Sequence, residues 1–391
     1  DTPAEAGPLA VFALQELKIG RVIGKGGFSV VSEIQSIRLD EVYDTSEDGS
    51  TARRNFADIA TKNKDQKYVV KMLRTDLPED EHAKGVVDLA VEADFLQHLN
   101  HSNIIKMRAM ANSDPQESKF FVILEKLVLT LERKQNFWRQ EVGDNMGVWF
   151  GPCFGYCCSK LPVLHRLWME RLMVARDIAL AIRYLHQNKI VYRDLKPDNV
   201  GFDSAGEVKL FDFGLAKRLN PEDLTENEMY SLTGNTGSLR YMAPEVALCE
   251  PYDHRVDSYS FGILFWQICS LTTPFLGYST KSHAERVVRQ GYRPKPDKTW
   301  PETWTLLMKL CWSPDTQARP SFDHIVNVLE QEVVDWLRQE GTVPSRANEI
   351  KAKKRKMFKK EAKDAERLDT DTRLSTPVDG PTTRKNESSI V

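Results

Sequence analysis

Short apolar runs rich in β-branched and aromatic residues predict strands in several parts of the chain. Three of them, 17–31, Tyr68–Leu73 and 120–127, lie in its first third. Two shorter runs, Val200–Phe202 and 208–211, flank a turn of small and polar residues. Apolar runs around such a turn predict a β-hairpin.

Apolar residues at helical spacing predict three long helices, at 86–99, 169–186 and 256–271. The first two are apolar along one face. The third is apolar nearly all round, which indicates a helix buried on every side.

Glu92 lies on the apolar stripe of the first helix, together with Leu89, Leu96 and Leu99. A lone lysine in a strand usually points into water, and Lys71 in the preceding strand would do so without a partner. A buried carboxylate, however, needs a positively charged partner. The sequence therefore predicts an ion pair between Lys71 and Glu92.

Three candidate metal or proton ligands surround the predicted hairpin. Asp194 and Asn199 precede its first strand and Asp212 follows its second, so all three are expected at one end of it. Carboxylate and carboxamide oxygens suit a hard cation such as Mg²⁺, which leaves its other positions to phosphate and water. The hairpin is thus a candidate magnesium and phosphate site.

Glycines interrupt the first strand run at Gly24, Gly26 and Gly27. A glycine lets backbone N–H groups approach phosphate oxygens, because no Cβ intervenes. The cluster alone also fits a plain hairpin turn.

Composition narrows the function classes. The 391 residues carry a formal net charge of −2, which argues against a strongly basic nucleic-acid-binding domain. The six cysteines lack the spacing of a disulfide framework and favour a reducing, intracellular setting, cytoplasmic or nuclear. The apolar stretch 8–14 is too short to span a bilayer and lacks the basic flank of a signal peptide. Because the chain begins with Asp1 and not with methionine, the possibility that a targeting segment or a further domain precedes it stays open.

The hairpin region resembles the catalytic and magnesium loops of the eukaryotic protein kinases. It reads V-Y-R-D-L-K-P-D-N from Val191 and D-F-G from Asp212, where the family has H-R-D-L-x-x-x-N and D-F-G. The glycine cluster is similar to the family's G-x-G-x-x-G-x-V loop, with Ser29 at the third glycine and Val31 at the position that covers the base.

Two later motifs extend the resemblance. R-Y-M-A-P-E from Arg240 resembles the end of the activation segment. C-W-S-P-D from Cys311 and R-P-S-F from Arg319 resemble the end of the domain in tyrosine kinases and the tyrosine-kinase-like group. The resemblance implies that Arg319 pairs with Glu245, and that Asp257 ties the central helix to the catalytic loop.

The fold implied by this resemblance is α+β and bilobal, with a small antiparallel β lobe that carries one helix and a larger, mainly helical lobe. The expected divisions are an N-terminal extension at 1–14, a kinase domain at 15–340 with its small lobe at 15–125 and large lobe at 126–340, insertions at about 38–67 and 136–164, and a basic, then disordered tail at 341–391.

The insertions and the tail have distinct compositions. Segment 38–67 is polar and is expected to be exposed and mobile. Segment 136–164 contains Cys153, Cys157 and Cys158 without a second pair at zinc-like spacing, which favours a partly apolar surface insertion over a metal site. For the run K-A-K-K-R-K-M-F-K-K at 351–360, a solvated charge run is favoured over a nuclear-import signal.

The implied activity is transfer of the γ-phosphoryl group of Mg-ATP to protein hydroxyls, with ATP and Mg²⁺ as cofactors. By resemblance, Asp194 orients the hydroxyl or accepts its proton, and Lys196 neutralises the transferring phosphoryl group. Asn199 and Asp212 are the implied magnesium ligands.

The implied nucleotide site spans both lobes. Lys71, paired with Glu92, fixes the α- and β-phosphates, Leu124 is the gatekeeper, and 125–127 offer backbone hydrogen bonds to adenine. The residues implied to contact the nucleotide are Ile23, Gly24, Lys25, Gly26, Gly27, Phe28, Ser29, Val31, Val69, Lys71, Leu124, Glu125, Leu127, Gly201, Phe211 and Asp212.

Lys196 resembles the serine/threonine kinases, and Ser238 stands where they usually have threonine. Tyr192 replaces the usual histidine at a position that mainly packs. The expected partners are therefore protein substrates with serine or threonine hydroxyls. A dual-specificity kinase, a pseudokinase scaffold and a small-molecule phosphotransferase of related fold stay open as alternatives.

Arg193 precedes the catalytic aspartate, and in the family such an arginine waits for a phosphate on the activation segment. Ser231, Thr233 and Thr236 are the candidate acceptors, so an upstream activating kinase is an expected partner.

Two residues near the adenine position depart from the family in opposite directions. Gly201 stands where a leucine-sized residue forms the floor under adenine, and Phe211 stands where a small residue is common. The two are expected roughly opposite each other on the hairpin, so we hypothesise that the Phe211 ring fills the space left by Gly201. The alternative is that Gly201 only eases a bend.

Overall fold

The computed structural model describes residues 9–43, 47–62, 67–146 and 161–339, together with Phe358. In this part of the chain, a smaller lobe built on a six-stranded sheet is followed by a larger, mainly helical lobe. The strands are β1 (Ala10–Phe12), β2 (Leu17–Lys25), β3 (Ser29–Ile37), β4 (Tyr68–Leu73), β5 (Met107–Ala111), β6 (Phe121–Glu125), β7 (Leu129–Thr130), β8 (Ile190–Val191), β9 (Val200–Phe202), β10 (Val208–Leu210) and β11 (Lys217–Arg218). The α-helices are α1 (Glu47–Lys62), α2 (Glu79–His98), α3 (Leu131–Met146), α4 (Leu161–Gln187), α5 (Pro244–Ala247), α6 (Arg255–Ser270), α7 (Thr280–His283), α8 (Glu302–Cys311) and α9 (Phe322–Gln339). The predicted α+β, bilobal fold is confirmed.

The sheet of the smaller lobe has the strand order β1-β5-β6-β4-β3-β2. The pairs from β5 to β2 are antiparallel, as expected, whereas β1 pairs parallel with β5. β1 belongs to the segment 1–14, which was expected to lie outside the domain, yet its Phe12 side chain is fully buried. A strand of three residues is too short to show a period in the sequence.

The expectation that segment 38–67 is exposed is wrong for one face of α1. This helix packs against β1 and β3. Its Arg53 forms an ion pair with Glu16 in which both side chains are only 1% exposed, and its Phe56 ring lies 4.9 Å from the ring of Tyr68. A mostly polar helix is therefore held to the sheet by a narrow stripe of side chains.

The larger lobe is built around α6, whose side chains are buried nearly all round, as its apolar sequence predicted. The amphipathic helix α4 packs against α6 and α9. It begins at Leu161, earlier than the predicted 169–186. None of the helices in the described ranges has the length and apolar character needed to cross a membrane.

The second insertion, 136–164, is only partly described. Its first part belongs to α3, and Trp138 on that helix is fully buried in the core, so a surface location is wrong for this part. The cysteines Cys153, Cys157 and Cys158 lie outside the described residues.

The two lobes meet at a small sheet beside the active-site loops. β6 ends at Glu125, and the chain then enters β7, which pairs with β9. β9 pairs in turn with β10, which confirms the predicted hairpin. The amide of Val128 donates a hydrogen bond to the Phe202 carbonyl at 2.8 Å, so the connection between the lobes is tied directly to the hairpin.

Candidate active site

The catalytic loop is anchored on the buried helix α6. Asp257, in the first turn of this helix, is fully buried. Its carboxylate accepts hydrogen bonds from the amides of Tyr192 and Arg193, both at 2.8 Å, and His186 contacts it at 2.8 Å. The implied tie between Asp257 and the loop is confirmed.

Asp194 is held by three hydrogen bonds. Its Oδ2 accepts from Lys196 Nζ at 2.7 Å and from Asn199 Nδ2 at 2.8 Å. Its Oδ1 accepts from the Ser238 amide at 2.9 Å. The structure thus brings together three residues predicted from the catalytic loop and one from the activation segment.

Gly237 allows the activation segment to approach the loop this closely. Its φ is +98°, and an added Cβ would lie 2.4 Å from the Arg193 carbonyl oxygen. Backbone cannot yield to such a contact, so a side chain at 237 would displace Ser238 from Asp194.

The predicted ion pair between Lys71 and Glu92 is confirmed, with Nζ 2.5 Å from the carboxylate. Lys71 Nζ also lies 3.2 Å from Asp212. Burial alone would lower the pKa of Lys71, but the carboxylates of Asp212 and Glu92 raise it above its usual range. Lys71 in turn holds the pKa of Asp212 below its usual value. Lys71 and Asp212 therefore each favour the charged form of the other.

Asp88 is a fourth carboxyl near this site, and the sequence analysis missed it. Burial, with a smaller contribution from the charge on Asp212, raises the pKa of Asp88 to about 6. Its side chain approaches Gly214, where an added Cβ would lie 3.3 Å from Asp88 Cβ. Residues four apart share a helix face, so the spacing from Glu92 was the signal available in the sequence.

The glycine-rich turn joins β2 to β3. Ile23, Gly24 and Lys25 are in β2, Ser29 and Val31 are in β3, and Gly26, Gly27 and Phe28 form the turn. The Gly26 amide donates to the Ser29 carbonyl at 2.8 Å.

Two residues that hold this turn were missed from the sequence. Arg74 donates to the Gly27 carbonyl at 2.6 Å, and the Arg74 amide donates to the Phe28 carbonyl at 3.0 Å. Gly85 on α2 lies so close to the turn that an added Cβ would be 2.7 Å from Phe28 Cβ. A glycine inside a helix normally weakens it, and here it makes room for the tip of the glycine-rich turn.

At the connection between the lobes, Leu124 in β6 is buried and pairs with Val69 in β4. The amide of Glu125 donates to the Lys106 carbonyl at 3.2 Å, and that of Lys126 donates to the Lys67 carbonyl at 2.9 Å. Of the amides at 125–127, two therefore complete hydrogen bonds inside the protein.

The predicted pairing of Gly201 and Phe211 needs a correction of register. Gly201 pairs with Lys209, and Phe211 donates its amide to the Asn199 carbonyl at 3.1 Å. The two residues are diagonal neighbours, a separation that an aromatic ring can reach across. A Cβ added at Gly201 would lie 3.3 Å from Phe211 Cε1 and 2.6 Å from Leu127 Cδ1. Two side chains, rather than one, border the space above Gly201.

Tyr192 holds the end of the hairpin next to Asp212 through contacts with Phe211 and Phe213. Its hydroxyl donates to the Phe211 carbonyl, and its ring lies 5.3 Å from the ring of Phe213. Burial raises the pKa of Tyr192 well above its usual value, so the phenol keeps the proton that it donates. The tyrosine packs, as predicted, and also fixes the backbone next to Asp212.

A family model described as protein tyrosine and serine/threonine kinase matches residues 17–329. The chain belongs to this kinase family. The predicted membership of the eukaryotic protein kinases, of the tyrosine-kinase-like type, is confirmed.

Several known kinases are similar to this one. It is 40% identical over 161 residues to the serine/threonine-protein kinase STY17 of Arabidopsis thaliana, covering 41% of this chain and 27% of STY17. It is 29% identical over 293 residues to the serine/threonine/tyrosine-protein kinase HT1 of the same plant, covering 74% of this chain and 66% of HT1. It is 36% identical over 170 residues to the dual specificity protein kinase shkB of Dictyostelium discoideum, covering 42% of this chain and 25% of shkB. The chain thus spans less than two thirds of each of these relatives.

The activation segment of this kinase is packed against the catalytic loop. Arg193, at φ 70°, donates to Thr233 Oγ1 at 2.9 Å and to the Tyr252 hydroxyl at 3.1 Å. The Thr236 hydroxyl instead donates to the Thr233 carbonyl at 3.1 Å. Of the three predicted acceptors, Thr233 is the one in contact with Arg193.

The end of the segment is fixed by a buried ion pair, as predicted. Arg319 contacts Glu245 through two nitrogens, one of them at 3.0 Å. Arg319 also donates to the Ser313 carbonyl at 3.0 Å. Both charged side chains are nearly inaccessible to water, so they neutralise each other inside the larger lobe.

Proposed function

We propose that this kinase phosphorylates serine and threonine residues of proteins, with Mg-ATP as the phosphoryl donor. The observation that carries the proposal is the position of Lys196, whose Nζ lies 2.7 Å from Asp194 and 2.9 Å from Ser238 Oγ. This contact joins the catalytic loop to the segment that would hold a peptide, and it places a positive charge beside the candidate base.

The lone pairs of Asp194 define where a substrate hydroxyl would bind. Oδ2 already accepts two hydrogen bonds, from Lys196 and Asn199. Oδ1 accepts one, from the Ser238 amide, and keeps a second lone pair. The hydroxyl therefore donates to Oδ1, which orients its oxygen and takes its proton.

The donor set fits Mg-ATP. Asn199 Nδ2 donates to Asp194, so its amide oxygen, together with the carboxylate of Asp212, would hold the Mg²⁺ ion. When bound, Mg-ATP supplies the phosphoryl group and the cation charge that neutralises it. Lys71, held by Glu92, offers its Nζ to the phosphates. Of the amides at 125–127, that of Leu127 is the donor proposed for adenine.

Three other functions are less well supported by these contacts. A small-molecule phosphotransferase does not need the contact of Ser238 with Asp194. A pseudokinase scaffold does not need Lys71 paired with Glu92 and Asp212. Nor does it need the hydrogen bonds that hold Asp194. A dual-specificity kinase has more support from the similar proteins. The name of shkB describes it as a dual specificity protein kinase, and that of HT1 as a serine/threonine/tyrosine-protein kinase.

The test is transfer of labelled phosphate from ATP to a peptide library with serine, threonine or tyrosine as the single acceptor. We expect labelling of serine and threonine peptides. Equal labelling of tyrosine peptides would assign dual specificity, and ATP binding without any labelling would assign a scaffold.

Phosphorylation of Thr233 is expected to activate the enzyme. A phosphate there would meet Arg193, which already donates to the Thr233 hydroxyl, and would replace a neutral acceptor of this bond with a negatively charged one. Such a bond contributes about 1.5–3 kcal/mol, so we expect the rate to rise roughly ten- to a hundredfold. The measurement is kcat/KM before and after stoichiometric phosphorylation, located by mass spectrometry.

Thr233→Ala should abolish this activation, while Ser231→Ala should retain it. If the variant with alanine at 231, 233 and 236 matched the phosphorylated protein in rate, phosphorylation of this segment would not regulate the enzyme.

Gly201→Leu is expected to weaken ATP binding, because the added side chain meets Leu127 and Phe211 in a space that is already filled. Overpacking typically costs about 1–3 kcal/mol, which corresponds to a roughly 5- to 150-fold higher Kd. Since Leu127 lies closer than Phe211, Leu127→Ala should restore more affinity than Phe211→Thr. Calorimetric titration with ATP gives both comparisons.

The control is a double-mutant cycle. Residues that share a space couple by roughly 0.5–3 kcal/mol. Additive effects of Gly201→Leu and Phe211→Thr would reject the hypothesis that the Phe211 ring replaces a larger residue at 201.

A further inference from the structure

The side chain of Phe358 is buried, although it belongs to one of the most basic parts of the chain. It stands in the run K-A-K-K-R-K-M-F-K-K at 351–360, where it is the only aromatic residue. Its exposed fraction is 3%. An aromatic ring in a charged run would be fully hydrated if this part of the tail only extended into water, so the burial requires a binding partner on the protein.

That partner is a recess on the larger lobe, here called the aromatic slot, formed by Phe202, Gly206 and Lys134. The rings of Phe202 and Phe358 lie 5.6 Å apart at an interplanar angle of 42°. Lys134 Nζ lies 5.8 Å from the centroid of Phe358 and 5.6 Å from that of Trp138. Lys134 Nζ also forms an ion pair with Glu170 at 2.8 Å. A cation within about 6 Å of a ring centroid is attracted to it, so this lysine favours an aromatic ring over an aliphatic side chain here.

Gly206 gives the slot its depth. Its φ is +81°, and an added Cβ would lie 3.0 Å from Phe358 Cγ and 3.2 Å from Phe358 Cβ. The turn backbone between β9 and β10 therefore lies directly against the ring. The neighbouring turn residues Asp203 and Glu207 are acidic, whereas three of the four residues that flank Phe358 in the sequence are lysines, which makes the charges of turn and tail complementary.

The slot is connected to the candidate active site through the hairpin. Phe202 accepts the hydrogen bond of Val128 from the connection between the lobes, at 2.8 Å. At the other end of the same hairpin stand Asn199 and Asp212, the proposed metal ligands. The Phe358 ring, packed against the turn, therefore contacts the same hairpin that positions Asn199 and Asp212.

We propose that the aromatic slot is a docking site for Phe358 of the same chain, and that this docked tail steadies the β9–β10 hairpin. The first part stands on the contacts alone, and the second rests on the proposed function. Residues 340–357 supply the connection within the chain. Burial of a phenylalanine ring favours the docked state by a factor of about ten to a hundred.

Hydrogen exchange on the full chain tests the docking. Phe358→Ala is expected to speed exchange severalfold in 203–207 and 131–138, because the turn and α3 lose a packing partner. Exchange in α6 should not change. The matched control is Ile350→Ala, which removes an apolar side chain from the same tail. Equal exchange in Phe358→Ala and the parent chain would overturn the proposal.

A double-mutant cycle with Gly206→Ala gives an independent measure. The strain of alanine at positive φ is the same with and without Phe358, so it cancels in the cycle. The contact between the new Cβ and the ring does not cancel. We expect Gly206→Ala to lower the thermal midpoint more in the parent chain than in Phe358→Ala, and additive shifts would overturn the docking.

Tryptic cleavage distinguishes the possible occupants. Docking should protect the bonds after Lys356 and Lys359, and Phe358→Ala should speed their cleavage by about ten- to a hundredfold, since cleavage follows the undocked population. Protection independent of protein concentration supports a ring from the same chain. Protection that rises with concentration would assign the slot to a second copy and overturn the proposal as stated.

The Kd for ATP and the rate of phosphoryl transfer test separately whether the docked tail affects the active site. If docking steadies the hairpin, Phe358→Ala should raise the Kd for ATP while Ile350→Ala leaves it unchanged. Absence of phosphoryl transfer in every form, with exchange still responding to Phe358→Ala, would defeat the proposed function and leave the docking intact. An unchanged Kd in a chain that exchanges faster would remove the link to the hairpin.

Discussion

Asp194→Asn is expected to lower the rate of phosphoryl transfer by about 10²–10⁴-fold, the range that a positioned acid or base contributes. The carboxylate oxygens are held by Lys196, Asn199 and Ser238, so a side chain of the same shape keeps the loop folded but loses the proton acceptor. Initial rates on a serine peptide, with circular dichroism to confirm the fold, give the result.

Asp198→Asn serves as the matched control, because it makes the same change in the same loop at an exposed position. Its rate should stay close to that of the parent enzyme. Should Asp194→Asn also retain full activity, the assignment of Asp194 as the acceptor, and with it the proposed reaction, would fail.

Arg319→Met is expected to destabilise the larger lobe by about 3–5 kcal/mol, because it leaves Glu245 charged and buried without its partner. The arginine also satisfies the carbonyl of Ser313, which would lose a donor. The quantity to measure is the free energy of unfolding in urea, followed by tryptophan fluorescence.

Arg338→Met makes the same substitution at a surface pair with Asp335, where the arginine side chain is 72% exposed. Surface pairs contribute about 0–1 kcal/mol, so this control should change little. Replacing both Glu245 and Arg319 with methionine should cost less than the two single changes combined. A loss for Arg319→Met no greater than that for Arg338→Met would show that the buried pair does not form in solution.

The parts of the site that could be predicted from the sequence are those in which a charge falls at a position that should be buried. Glu92 on an apolar stripe required a cation, and Lys71 was the cation within an apolar strand. The other residues proposed to act in catalysis lie in one short stretch of chain, so their spacing alone predicts that Asp194, Asn199 and Asp212 lie at one end of a hairpin.

Other features could not be predicted because they depend on contacts between segments whose apolar residues show neither helical nor strand periodicity. Arg53 lies in the mostly polar helix α1 and pairs with Glu16 in the segment before β2, and nothing in the sequence of either segment indicates this pairing. From the sequence, Gly85 only indicates a destabilised helix. The structure shows that it leaves room for Phe28 of the glycine-rich turn. The register of Phe211 shifted by two residues because a hairpin turn can close in more than one way.

The parallel pairing of β1 determines where the catalytic unit has to begin when the protein is produced for study. The family match starts at residue 17, and an expression boundary placed there would discard β1 and leave β5 as an open edge with unpaired backbone groups at 109–111. Open edges of this kind pair with strands of other molecules and promote aggregation. A fragment that keeps β1 paired with β5 therefore begins no later than Ala10, seven positions before the first residue of the family match.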